Sequence, residues 1–437
     1  MTISKTLHKN GFQCWFVGGC VRDALFKRTL HDFDLVTNAT PVQIQHLFGK
    51  TDFVGVSFGI ILVKLENLAI EVATLRKDGS YSDGRRPDSI EAGNLEEDSR
   101  RRDFTINSLY YDAQRQEVLD LHGGLVDLQT GVMRTVGEPV KRFTEDALRL
   151  LRAVRFASRF QLEVEPKTLN AISMLAETTR GLSGERLQQE LTKMLCGPEP
   201  SRALRMLQST GIMQHVLPEV SAMVNVSQGR RFHPEGDVFT HTLLGCECEP
   251  SRSKISRWGI LLHDIGKPKT REVADGKITF YQHESVGAEM ADVLLRRLKF
   301  SVEERQLITS VVSRHMRFMN ASRWNNSTLR RFIAEKSIEH DLNVHAADCL
   351  SCHQILSAWR LVSDAYKNHV HGEPKTALPK ALLGGNELIS LGYKPSPLFG
   401  KFMQQLIDQQ LEGLIETVEE ARDFAGRFFE EHQTESP

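Results

Sequence analysis

An α+β chain is what this sequence predicts, with a strand-built α/β head followed by an all-α body. Short β-branched and aromatic runs fill residues 12 to 75 around one helical segment near 41 to 49. From about residue 141 onward, apolar residues recur at three- and four-residue spacing instead. The length of 437 residues, 40% hydrophobic and 25% charged, suits about three ordinary globular domains of ~150 residues each.

In order along the chain, "FQCWFVGG" is an apolar strand running into two glycines. "DFDLV", "GIILVKL" and "LAIEVATLR" supply further strands of a small sheet. The next stretch, "RKDGSYSDGRRPDSIEAGNLEED", is too polar to pack and reads as a loop over a site. "EDALRLLRAVRFASRF", "GERLQQELTKML" and "PSRALRMLQSTGIMQHV" then carry helical periodicity. Pro- and Gly-containing breaks place divisions at 1–140, 141–229, 230–365 and 366–437, the last a tail of helical hairpins. No internal repeat is present.

A net charge of -1 excludes a generally basic nucleic-acid coat. Arginine clusters remain, in "GRRP", in "SRRRDF" and at Arg149, Arg152, Arg155 and Arg159. Seven scattered cysteines fit a reducing compartment, and Cys246/Cys248 and Cys349/Cys352 read as small buried thiols rather than zinc ligands. No apolar run reaches membrane-spanning length, and "MTISKTLHKNGFQCW" lacks the apolar core of a signal peptide. A cytoplasmic protein with no membrane partner is therefore expected.

Asp32 and Asp34 are two apart in a strand, so their side chains point the same way from Cα atoms roughly 6.5 Å apart. Like charges so placed call for a cation between them. Hard carboxylate oxygens suit Mg²⁺, which recruits phosphate oxygens as further ligands, so a phosphoryl or nucleotidyl substrate follows. Glu71 is the best-placed third carboxylate for a two-metal site. Gly18 and Gly19 leave backbone amides free to approach a triphosphate, and Arg22 adds a fork of donors.

Asp146 and Arg149, three apart in a helical segment, are expected on one face. Cytosine and adenine each present an amine donor beside a ring-nitrogen acceptor, which a carboxylate and a guanidinium match; guanine and uracil present the reverse. Such a pair would accept CTP and ATP. An intrahelical salt bridge is the plainer reading of the same spacing. Arg152, Arg155 and Arg159 continue that face and suit phosphate contacts.

In the later half, His263 and Asp264 adjoin at the end of an apolar helix that Gly266 should terminate. With His241 and Asp348 they can ligate a divalent transition metal, and His283 and His315 extend the set toward a second cation. Hydrolysis of phosphomonoesters or 2′,3′-cyclic phosphates would fit.

The succession GG-x-x-RD then D-x-D resembles the nucleotidyltransferase superfamily. "DGRRP", "RRDFTINSLYYD", "LDLHGGLVDLQTGVMRTVG" and "RFTEDALRLLRAVRFASRF" narrow the resemblance to the bacterial-type (class II) tRNA nucleotidyltransferase/poly(A) polymerase family. The order H…HD…D resembles the HD phosphohydrolase superfamily. These resemblances imply a polymerase-β-like head and an HD-type helical domain in the body. They further imply Mg²⁺-dependent, template-free addition of CCA to a tRNA 3′ end from CTP and ATP, with release of pyrophosphate. Asp146 and Arg149 would read the base with Glu145 as an orienting neighbour, while Arg102 and Asp103 would lie near the ribose. Asp83, Gly84, Arg85 and Arg86 match a flexible loop needed for the terminal A. An A-adding enzyme or a poly(A) polymerase shares these motifs. A metal-dependent phosphohydrolase with an inert head, and a non-catalytic RNA-binding protein, are the rivals from other classes. No protein partner is implied.

Overall fold

The computed structural model describes residues 2–30, 33–49, 51–55, 59–65, 68–79, 87–229, 233–371 and 379–433. The chain divides into two compact units, Met1–Ser221 and Ala222–Pro437.

The first unit begins with a seven-stranded sheet. Its first five strands are β1 (Cys14–Val17), β2 (Asp34–Thr37), β3 (Thr51–Gly55), β4 (Ile60–Leu65) and β5 (Leu68–Thr74). They lie in the order β3-β4-β5-β2-β1, and strands Leu109–Asp112 and Glu117–Asp120 complete the sheet beyond β1. Neighbours are antiparallel except β2 and β5, which run parallel and set Asp34 opposite Glu71, Leu35 opposite Val72 and Val36 opposite Ala73.

Alternation along these strands sorts the side chains onto two faces. Cys14, Leu35, Ile61 and Val72 face one core, roofed by Ile3 and Leu7 of α1 (Thr2–Lys9) and Ile44 of α3 (Pro41–Leu47). Burying each large aliphatic side chain there contributes about 1.5–3 kcal/mol. Trp15, Val17, Val36 and Tyr110 face the other core. Asp34, two residues from Val36, therefore shares that second face with Glu71. The helix α3 starts where "ATPVQ" demands it: Thr40 accepts from the Gln43 amide, the Gln43 side chain accepts from the Thr40 amide, and Pro41 sits in the first turn.

The first unit adds two small strand pairs, Arg76–Asp78 with Ile90–Ala92 inside the stretch expected to be a loop and Val132–Met133 with Glu163–Val164, and from Pro139 on is mainly helical, through Pro139–Glu145, Leu148–Phe160, Pro166–Met174, Gly184–Leu195 and Pro200–Ser209. Here one expectation is corrected. "EDALRLLRAVRF" is not one helix: Glu145 ends the first, Asp146 is extended at φ -155, and the next begins at Leu148. The Asp146 carboxylate accepts from the Leu148 amide. A short acceptor side chain that satisfies an amide at a helix start competes with continuation of the helix before it.

In the second unit, helices Val238–Cys248, Lys254–Leu262, His283–Arg297, Val302–Arg314 and Ile338–Ser351 pack together, with Trp258 buried edge-on against Phe300 at 5.1 Å. Gly266 does not terminate a helix in the left-handed way expected, because its φ is -78. Its small size serves a close approach instead. A β-carbon there would overlap the His283 carbonyl oxygen and lie 2.8 Å from the Gly287 nitrogen. The tail forms helices Gly385–Ser390, Pro397–Leu411 and Val418–Gln433 around Phe402 and Phe428, turning at Gly392 (φ +92) and Gly413 (φ +72). Among the described residues no helix is long and apolar enough to cross a membrane.

Candidate active site

A cleft of about 490 Å³ in the first unit gathers Gly18, Gly19, Arg22, Asp34, Arg102, Asp103, Arg152, Arg155 and Arg159 of the expected site, and adds Asn107 and Phe156. Gly18 makes the cleft reachable: at φ +72 it turns the chain from β1 into α2 (Gly19–Leu25), a conformation that a side chain would strain. Arg22 is buried and donates to Asp23 Oδ1 at 2.8 and 2.6 Å and to Asn107 Oδ1. Asp34 lines the cleft, and Glu71 is its register partner on β5. Asp32 and the loop residues Asp83, Gly84, Arg85 and Arg86 lie outside the described residues.

Arg102 is fixed by Tyr110 Oη at 2.9 Å and by the fully buried Asp98 at 3.0 Å. Asp103 accepts from Asn107 Nδ2 at 3.0 Å and from Arg152 Nε at 2.8 Å. Burial works to raise the Asp103 carboxyl, but Arg152 and the Asn107 amide hold its pKa down at about 2. Asn107 thus joins Arg22 to Asp103, and Asp103 joins Asn107 to Arg152. Arginines from two helices are set by one polar chain.

Glu145, Asp146 and Arg149 are held separately. Arg149 donates to Glu145 Oε2 at 2.6 Å and to the Arg142 and Arg101 carbonyls. Asp146 takes both its ionic contacts from Arg186, at 2.9 and 2.7 Å. The expected juxtaposition on one helical face is replaced by a carboxylate at a helix boundary and a guanidinium in the first turn after it. Neither forms the intrahelical pair with the other.

Arg186 and Glu190 were missed by reading motifs. Glu190 is buried and accepts from the buried Arg155 at 2.6 Å. A signal existed, since Leu187, Glu190, Leu191 and Met194 form one buried stripe, and a carboxylate there requires a cation partner.

In the second unit, the six expected ligand residues converge. Ligand atoms of His241, His263 and Asp348 lie within 4.8 Å of one another, as do those of Asp264, His283 and His315. Asp264 joins the groups, with Oδ2 3.3 Å from His263 Nε2 and Oδ1 3.4 Å from His283 Nε2. His263, His283 and His315 each direct Nδ1 at the carbonyl three residues back, at 2.8, 2.8 and 2.7 Å. His241 directs Nδ1 at Glu235 Oε1, 2.7 Å away. Four Nε2 atoms therefore face the carboxylates of Asp264 and Asp348. Burial works to lower His241, but Asp348 and Glu235 raise its pKa to about 9, whereas burial pushes His315 down to about 3. Nitrogen and carboxylate donors so arranged fit a divalent metal.

Three family patterns match the chain: "Poly A polymerase head domain" over residues 14–134, "Probable RNA and SrmB- binding site of polymerase A" over 161–223, and "HD domain" over 238–352. A CCA-adding enzyme of Oceanobacillus iheyensis is 45% identical over 204 residues, 46% of this chain and 51% of that enzyme. The chain thus spans about half the length of that relative and of several like it. A CCA-adding enzyme of Limosilactobacillus reuteri is 30% identical over 436 residues, covering 96% of this chain and 95% of its own length. The crystal structure of Bacillus stearothermophilus CCA-adding enzyme in complex with CTP matches at a TM-score of 0.77 and 25% identity, over 99% of this chain and 96% of that one.

Proposed function

This chain belongs to the CCA-adding enzyme family, and on that premise we propose that it adds the 3′-terminal CCA to tRNA from CTP and ATP without a template, releasing pyrophosphate. One observation carries the reading: Asp34 and Glu71 are paired on one sheet face, and Asp34 opens onto an arginine-lined cleft. In this proposal residues 1–140 are the catalytic head, 141–229 bind nucleotide and RNA, 230–365 form the HD domain and 366–437 the tail.

In the reaction the terminal RNA hydroxyl attacks the α-phosphorus; a new O–P bond forms and the bond to the β-phosphate oxygen breaks. Mg²⁺ held by Asp34, Glu71 and Asp32 would supply Lewis-acid stabilisation of the attacking and leaving oxygens. Arg22, Arg152, Arg155 and Arg159 hold the triphosphate and neutralise the departing pyrophosphate. Arg102 and Asp103 position the ribose. Asp146 and Arg149, with Glu145, face the base, and Asp83 to Arg86 serve the switch to A. The match over 161–223 supports RNA contact through the helices there.

The test is incubation of the purified chain with tRNA ending at the discriminator base, at C or at CC, with each nucleotide alone and combined. Incorporation of C and then A is expected. Addition of A only onto CC ends would move the reading to an A-adding enzyme, and long A tracts to a poly(A) polymerase.

A second reading concerns the HD centre, and the shared Asp264 between two ligand groups favours it. It is a divalent transition-metal site with phosphohydrolase chemistry toward phosphomonoesters or 2′,3′-cyclic phosphates. Its chain-borne parts are the four imidazoles and two carboxylates, with Lys267 Nζ 2.6 Å from Asp264 Oδ2. Ring opening of a 2′,3′-cyclic nucleotide to its 2′- or 3′-monophosphate, or phosphate release from a phosphomonoester, that persists in Asp34→Ala and vanishes in His263→Ala is expected.

A further inference from the structure

The cleft wall poses an electrostatic problem. Guanidiniums that line one cleft repel, and each of three has its own carboxylate partner: Asp23 for Arg22, Asp103 for Arg152, Glu190 for Arg155. What the three arginines share is a ring. The guanidinium carbons of Arg22, Arg152 and Arg155 lie 5.0, 5.1 and 4.1 Å from the centre of Phe156. Phe160 repeats the arrangement for Arg22, Arg28 and Arg159 at 4.4, 4.7 and 5.1 Å. The two rings lie 6.1 Å apart with 19° between planes. Phe104, fully buried, meets Phe156 edge-on at 5.8 Å and backs the Phe156 ring.

An aromatic face carries partial negative charge and attracts cations within about 6 Å of its centre. Phe156 is buried yet lines the cleft, at the point where Arg22 from α2 meets Arg152 and Arg155 from the helix Leu148–Phe160. A carboxylate in its place would compete with a phosphate for the same guanidinium donors. A ring offsets the repulsion without occupying those donors.

We propose that Phe156 is a positioning residue for the triphosphate and pyrophosphate groups, its ring gathering Arg22, Arg152 and Arg155 into one anion-binding wall. The inference rests on the nucleotidyl-transfer reading. Packing alone requires only the shape of the side chain. Anion binding through arginines gathered in this way requires its quadrupole.

The experiment replaces Phe156 with 4-fluoro-, trifluoro- and pentafluorophenylalanine, a series that keeps the ring while draining its face of negative charge, and adds Phe156→Leu. Calorimetry measures inorganic pyrophosphate binding in the presence of Mg²⁺, steady-state assays give KM and kcat for CTP, and thermal midpoints report folding. Pyrophosphate affinity should fall stepwise with fluorination, to on the order of tenfold at the end of the series and in Phe156→Leu, with KM rising in parallel and kcat within about twofold. Affinity and KM that stay within about twofold across the fluorinated series would overturn the inference, even if Phe156→Leu unfolds. A wild-type chain that transfers nucleotides but shows a flat series refutes Phe156 alone. A wild-type chain that binds no pyrophosphate refutes the nucleotidyl-transfer reading and the inference with it.

Discussion

Asp34 on β2 and Glu71 on β5 are direct register partners across the single parallel strand pair of the head sheet. Leu35 and Val72, the next pair, turn to the opposite core. The same alternation that fills the core therefore delivers both acids to one surface. Asp34→Asn should lower nucleotide incorporation on the order of 10³-fold, because it removes several kcal/mol of transition-state charge stabilisation, with the thermal midpoint little changed. Single-turnover incorporation beside a melting curve checks this, and Glu71→Gln should follow in the same direction.

Arg186 fixes Asp146 through two contacts from a separate helix. If Asp146 reads the exocyclic amine, Arg186→Gln should loosen base choice rather than abolish transfer. The ratio of kcat/KM for CTP over UTP should drop on the order of tenfold. An unchanged ratio with a lower overall rate would assign Arg186 to support alone.

The Arg155–Glu190 pair is buried at both ends, with side chains 8% and 4% exposed. Glu190→Ala leaves a buried guanidinium without its counter-charge, which should cost about 3–5 kcal/mol of stability. Urea denaturation measures that loss. Glu190→Gln, which keeps an acceptor, should lose less.

For the HD centre, calorimetry with Mn²⁺ or Co²⁺ should show binding that His263→Ala and His283→Ala each weaken on the order of 10–100-fold or more. Nucleotide addition should be unaffected in both variants, since neither residue belongs to the arginine-lined cleft. Glu235→Gln should weaken the binding more mildly, through the Nδ1 of His241.

His345 gives the second unit an acid-sensitive stability. It stacks on Phe318 at 4.1 Å, and burial pushes its pKa down to about 4. Between the unfolded value of about 6.5 and that of the folded state, the unfolded chain binds the extra proton, so stability falls as pH drops through this window. The loss should approach about 3 kcal/mol by pH 4. Denaturation curves at several pH values should show a shallower decline in His345→Leu.

Much of both sites was legible where chemistry and local spacing coincide. Period-two alternation placed Asp34, the adjacent His263 and Asp264 marked the HD centre, and Gly18 announced the turn that leads into the helix carrying Arg22. What stayed hidden depends on partners distant in sequence. Arg186 reaches Asp146 from 40 residues away and Glu190 reaches Arg155 from 35. A reading by neighbours on one helix also assumed continuity through Asp146, where the side chain's own hydrogen bond to Leu148 breaks the helix. Glycine so often stops a helix that Gly266 reads as a stop, whereas a close approach to the His283 carbonyl and the Gly287 nitrogen demands the same residue.

The parallel pairing of β2 with β5 has a kinetic corollary. The chain must travel out through β3 and return along β4 before β5 can dock beside β2, so the acidic pair comes together through contacts of long sequence separation, which form slowly. On the ribosome, a nascent head truncated ahead of β5 would already own its glycine turn and Asp34 but lack Glu71. Assembly of the acidic pair thus waits on β5, and pausing before that strand would delay it.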